Sequence, residues 1–174
     1  MEPETIARLD QVLAAYLAYR LPEVEDVRVS NVVRSTGGAS RSQWFFDVSW
    51  RGEAPVSKTL TLRASECTCF RDSESSLERE YRIFKALEGS PVPVPRNYWY
   101  EDDPRWLGEP FVIRERIEAR TSFAGEPPET KRRIIDHFVE ILAAQHSMDW
   151  RKMGLSFLGA SARTEDCALE LVET

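Results

Sequence analysis

Three stretches of this chain carry residue types whose spacing suits chemistry. The first is Ser35-Thr36-Gly37-Gly38-Ala39-Ser40. Adjacent glycines among small and hydroxylated neighbours let backbone N–H groups approach a phosphate closely, because no Cβ intrudes. The run lacks the lysine of a Walker motif, and Gly-Gly between two strands also makes a plain hairpin, so the pattern alone leaves both readings open. The second is a cation and anion pair, Arg63 and Glu80. Arg63 closes an alternating segment on its polar side, and Glu80 lies on the helix that follows. At roughly 100° per residue, Glu80 falls near the apolar stripe of that helix while Glu78 points away from it. An inward glutamate needs a positive partner, and Arg63 is the natural one. A plain structural salt bridge accounts for the pair equally well. The third stretch is Arg114-Glu115-Arg116-Ile117-Glu118-Ala119, where a strand leaves its sheet and exposes backbone groups that could read the edge of a planar base. A simple exit loop is the alternative.

Cys67-Thr68-Cys69 resembles half of a metal site. With Cys167 the only further cysteine and two histidines in the chain, buried or half-buried thiols are the better reading.

The elements that must position these residues follow from hydrophobic period and turn chemistry. Ile6, Leu9, Leu13 and Tyr16 predict an amphipathic helix from about Glu4 to Tyr19, ended by Leu21-Pro22. Strands are expected around Val27–Val33, Trp44–Trp50 and Val56–Arg63, with Leu60 and Leu62 facing one way and Thr59, Thr61 and Arg63 the other. Ser75-Ser76-Leu77-Glu78 has the form of a capping box and predicts a helix carrying Leu77, Tyr81, Phe84 and Leu87, stopped at Gly89. A fourth strand is expected at Asn97–Glu101, a turn at Glu101-Asp102-Asp103-Pro104, and a fifth strand centred on Phe111-Val112-Ile113. After Pro127-Pro128, a long helix carries Ile134, Ile135, Phe138, Ile141 and Leu142. The expected fold is α+β: an antiparallel sheet of five strands with one inserted helix, and helices on one face.

Composition bounds the partners. The 174 residues carry a formal net charge of −6, and an acidic surface repels phosphate backbones, so nucleic acid is not expected. No window approaches the roughly 18–20 apolar residues of a membrane span. The acidic start Met1-Glu2-Pro3-Glu4 is unlike a signal peptide, which points to a cytoplasmic protein.

Taken together, these segments resemble the N-terminal lobe of the aminoglycoside phosphotransferase (phosphotransferase enzyme) family, which has a protein-kinase-like fold. Within it the chain most resembles the kinase-like domains fused to acyl-CoA dehydrogenases. The resemblance rests on Gly37-Gly38-Ala39-Ser40, Thr61-Leu62-Arg63, Glu78-Arg79-Glu80-Tyr81-Arg82 and Pro91-Val92-Pro93-Val94-Pro95. It continues in Gly108-Glu109-Pro110-Phe111-Val112-Ile113 and in the stretch from Ile141 to Trp150, so that it covers about residues 25 to 160.

The resemblance implies an N-terminal helix over 1–24, a nucleotide-binding lobe over 25–119 and the start of a helical lobe over 120–174. Thr36, Gly37, Gly38, Ala39 and Ser40 would form the flap over the ATP phosphates. Arg63 would stand in the place of the phosphate-binding lysine, with Glu80 as its partner. A planar guanidinium there is not equivalent to a point charge. Arg114 would be the gatekeeper, with the Glu115 C=O and Ile117 N–H meeting adenine at the hinge. The implied activity moves the γ-phosphate of ATP to a hydroxyl of a small molecule, with magnesium in the complete enzyme.

Such transfer needs His-x-Asp-x-x-x-x-Asn and a second, metal-binding Asp. His146-Ser147-Met148-Asp149 has the wrong spacing, and no Asn follows Asn97, so no catalytic or metal-binding residue is expected here. The resemblance thus implies a kinase front half that stops before its catalytic loop. A non-catalytic nucleotide-binding or pseudokinase module is the alternative.

Overall fold

The computed structural model describes residues 8–35, 41–51, 56–63, 76–120 and 122–159, without the side chains of residues 41 and 56–63. The first helix, α1 (Leu9–Arg20), buries Leu9, Leu13, Tyr16 and Leu17, which recur at one helical face. Three strands follow, β1 (Arg28–Arg34), β2 (Arg41–Ser49) and β3 (Val56–Arg63), and then helix α2 (Leu77–Leu87). Strand β4 (Asn97–Glu101), a one-turn helix α3 (Pro104–Leu107), strand β5 (Phe111–Glu115) and the long helix α4 (Pro128–Ser147) complete the order, with a 3₁₀ turn at Leu155–Leu158. All the pairings are antiparallel and run in the order β1-β2-β3-β5-β4, so β5 lies between β3 and the edge strand β4.

The sheet is covered on both faces, not on one as the sequence suggested. Phe46, Phe111 and Ile113 are fully buried against α1, where Tyr16 meets the Phe111 ring edge-on at 4.9 Å. Successive strand residues point to opposite faces. Val112 and Arg114 therefore turn the other way, and α2 is found there: Arg114 bonds Glu80 and stacks on Phe84, while Tyr81 packs near Tyr100. The inserted helix cannot share a face already filled by aromatic side chains.

Two local features differ from the capping and turn expectations. The Ser76 hydroxyl accepts the Arg79 N–H at 3.1 Å, so the cap sits one residue later and Glu78 is not at the reciprocal position. The expected turn at 101–104 is the entry to α3. Asp103 caps it by accepting the Arg105 N–H, Pro104 starts it, and Gly108 at φ 77° ends it with its N–H on the Pro104 carbonyl. Asp, Pro and Gly at these offsets are a readable helix signature; only the length is unusual.

The chain divides into two compact units, Met1–Glu88 with Val94–Ser122, and Gly89–Pro93 with Phe123–Thr174. Helix α1 belongs to the first. In the second, α4 exposes the apolar stripe Ile134, Ile135, Phe138, Val139 and Leu142. An apolar hollow of about 290 Å³ lies among Phe123, Ile134, Ile135 and Phe138. His146 ends α4 in solvent. Asp149 accepts the N–H groups of Arg151 and Lys152 at 3.2 and 3.3 Å. Those bonds, the Lys152 N–H first, hold its carboxyl below the usual range. Both residues serve the helix end and the turn after it.

Candidate functional site

The face of the sheet opposite α1 is built by alternation. The register pairs Gln43 with Thr61 and Thr61 with Val112, and Phe45 with Thr59 and Thr59 with Arg114. Positions 59, 61 and 63 thus fall on one face with Val112 and Arg114. Helix α2 overhangs it because its Ser76 cap and apolar residues orient Glu80 toward the sheet, while Glu78 stays exposed.

Glu80 meets Arg114 there. Arg114 NH2 donates to Glu80 Oε1 at 2.8 Å, and the guanidinium lies 5.0 Å from the Phe84 ring centre. The Arg114 side chain is 10% exposed and that of Glu80 29%, so the pair is half-dry. Sequence reasoning assigned Glu80 to Arg63 and missed this contact, although a signal existed. An arginine closing the apolar run Phe111-Val112-Ile113 must be buried, and a buried guanidinium needs a carboxylate. The side chain of Arg63 lies outside the described set, as do Thr36, Gly37, Gly38, Ala39 and Ser40 and the cysteines Cys67, Cys69 and Cys167.

The far end of α2 grips β4. Glu88 Oε1 accepts the Asn97 N–H at 2.8 Å, and Lys85 Nζ donates to the Asn97 carbonyl at 3.2 Å and to Glu88 Oε2 at 2.7 Å. Burial acts to raise the Glu88 carboxyl, but the Lys85 ammonium and the Asn97 N–H outweigh it and hold it below its usual range. Asn97 is 1% exposed. Its Nδ2 donates to the Pro95 carbonyl at 2.9 Å, yet its Oδ1 is buried with no partner; the same holds for Arg114 Nε. Leaving such an atom unpaired costs about 1–3 kcal/mol.

The strand leaves the sheet at Glu115. The Glu115 N–H still bonds the Arg96 carbonyl at 2.8 Å, and the Glu115 carboxylate accepts the Arg96 N–H at 3.2 Å. The next guanidinium, Arg116, lies 4.5 Å over the Phe45 ring. Ile117 is 58% exposed, and no backbone hydrogen bond from it is found among the described residues. The arrangement offers a partly apolar face with guanidinium groups around it, beside the Ile117 backbone. Among the described residues no three His, Cys, Asp or Glu side chains cluster as metal ligands. No helix of the described residues is long and apolar enough to cross a membrane.

Comparison with known proteins gives relatives of this chain and a structural neighbour of the same fold. Acyl-CoA dehydrogenase family member 11 of Rattus norvegicus is 28% identical over 153 residues, covering 84% of this chain and 19% of that protein. Family member 10 of Mus musculus is 30% identical over 106 residues, covering 59% of this chain and 10% of that protein. The chain thus spans about a fifth or less of these relatives. A crystal structure from Ralstonia eutropha, of a protein assigned as an aminoglycoside phosphotransferase, superposes with a TM-score of 0.62 at 23% identity. It covers 86% of this chain and 41% of the other, a likeness of fold. The model of the phosphotransferase enzyme family matches residues 31–172, and with most of its length inside that match the chain belongs to this family.

Proposed function

We propose that this chain is the ATP-binding portion of a small-molecule kinase, whose complete form moves the γ-phosphate of ATP to a hydroxyl acceptor. The observation that carries the reading is the overhang of α2. It sets Glu80 against a cationic strand residue, on the sheet face whose last strand runs on to Ile117, which makes no backbone hydrogen bond among the described residues. The face opposite α1 would take the base, with the Ile117 N–H and the Glu115 carbonyl reading its edge. Arg63 and residues 36–40 would hold the phosphates. Bound ATP supplies the transferable phosphoryl group; the chain's contribution is position and charge. A soluble setting in the cytoplasm belongs to this proposal.

The test is binding of a fluorescent ATP analogue to the purified chain. Ile117→Pro removes one backbone donor without changing charge, and it is expected to weaken binding by about tenfold, the equivalent of one hydrogen bond in a dry site. Arg63→Ala should weaken it further. Equal affinity in wild type and both variants would refute the assignment. No phosphoryl transfer is expected from these 174 residues, which lack His-x-Asp-x-x-x-x-Asn. Arginine at position 63 favours one second reading, a nucleotide-binding module that does no catalysis. A longer chain with the catalytic loop that binds ATP and stays inactive would support it.

A further inference from the structure

We propose that Asn97 is the positioning residue of the Glu80–Arg114 pair, its Oδ1 and the Arg114 Nε–H being joined across one shared water. Asn97 and Arg114 are partners across β4 and β5, so their side chains stand side by side on the face under α2. Each is nearly sealed from solvent, and each has one orphaned polar atom. One orphan is an acceptor and the other a donor, so the two complete each other.

The amide cannot be read the other way round. Its Nδ2 donates to the Pro95 carbonyl at 2.9 Å, and a flipped amide would set oxygen against oxygen there. The backbone of Asn97 is held as well, by Glu88 and Lys85 from the end of α2. Arg114 is then fixed at both ends of its guanidinium: NH2 on Glu80 and Nε on Asn97 through that water. Helix α2 is latched to the β4–β5 edge at its first turns through Glu80 and at its last through Glu88. Such a helix is preorganised and does not swing when a ligand arrives on the face below it. The consequence for ligand binding rests on the proposed nucleotide site; the contact itself does not.

The experiment is side-chain NMR on the full chain with labelled arginine, the Arg114 Nε–H being assigned by its loss in Arg114→Lys. Exchange of this proton with solvent is expected to be slow in wild type and in Asn97→Asp, which gives up the bond to the Pro95 carbonyl but keeps an acceptor toward Arg114. In Asn97→Leu, of similar volume and without one, it should be at least about tenfold faster, since one protecting bond is gone. A merely space-filling Asn97 predicts the opposite order, with leucine the better substitute. Equal exchange in wild type and Asn97→Leu would overturn the proposal. Should Asn97→Leu fail to fold, the wild-type spectrum decides, because a missing cross-peak between the Arg114 Hε and a bound water also overturns it. In parallel, ATP-analogue affinity should fall about threefold or more in Asn97→Leu and recover in Asn97→Asp. A wild-type chain that binds no nucleotide would sink the function proposed above, while the exchange data still decide the role of Asn97.

Discussion

Replacing Glu80 by glutamine removes a charge while keeping shape, and the result follows from how unevenly the pair is buried. Arg114 is 10% exposed and cannot lose its charge, so without Glu80 it remains a cation in a nearly dry site. Breaking a fully buried pair costs about 3–5 kcal/mol. Glu80 is 29% exposed, and glutamine still offers one acceptor, so about 2 kcal/mol is expected. For a chain of this length that lowers the melting temperature by about 4–8 °C. Arg114→Met leaves a carboxylate that water can reach, and its loss is mainly packing on Phe84, about 1–2 kcal/mol. Once the guanidinium is gone, the Glu80 carboxylate keeps its solvent contact and its other contacts, so removing its charge should cost less than it does in the wild type. The double variant is therefore expected to lose less than the two single variants together, with a coupling of about 1 kcal/mol or more from urea unfolding of all four chains. Strict additivity, or a Glu80→Gln loss below about 0.5 kcal/mol, would show that water or another group compensates Arg114, and would refute the argument from burial.

Three other outcomes are expected. Ser76→Ala should cost about 1 kcal/mol in urea unfolding, because the Arg79 N–H loses its capping acceptor at the start of α2. The Glu88 carboxyl is held below 4.5, so its contribution is complete above that value and is lost as pH falls through the lower folded-state value. Acid titration of the unfolding midpoint should show this loss below about pH 4.5, and Glu88→Gln should flatten it. Phe138 is 66% exposed, so Phe138→Ser should shift stability by less than about 0.5 kcal/mol while reducing the binding of an apolar dye to the α4 stripe.

Much of the fold is legible in local pattern. Leu9, Leu13, Tyr16 and Leu17 declare α1 by period, and β3 is read from Val56 to Arg63 by alternation. The inward turn of Glu80 follows from its angle to Leu77 and Tyr81. Helix α3 was missed through brevity, although Asp103, Pro104 and Gly108 all signal it. The register of the α2 cap was misjudged by one residue, since two adjacent serines compete for it and only the chain's path decides between them.

What the sequence determines by itself, then, is which residues lie on a common face: Val112 with Arg114, Leu77 with Tyr81 and Glu80, Phe111 with Ile113. Covalent geometry dictates these relations, and no tertiary contact is needed to deduce them. Which face meets which helix is a different matter. Placing β5 between β3 and β4 brings Arg114 beneath Glu80, 34 residues away in sequence, and sets Asn97 beside it. That choice comes from burying Phe46, Phe111 and Ile113 against α1, which leaves the opposite face to α2. The partner of a buried charge is a property of the packed sheet, because only packing removes the water that would otherwise make any partner dispensable.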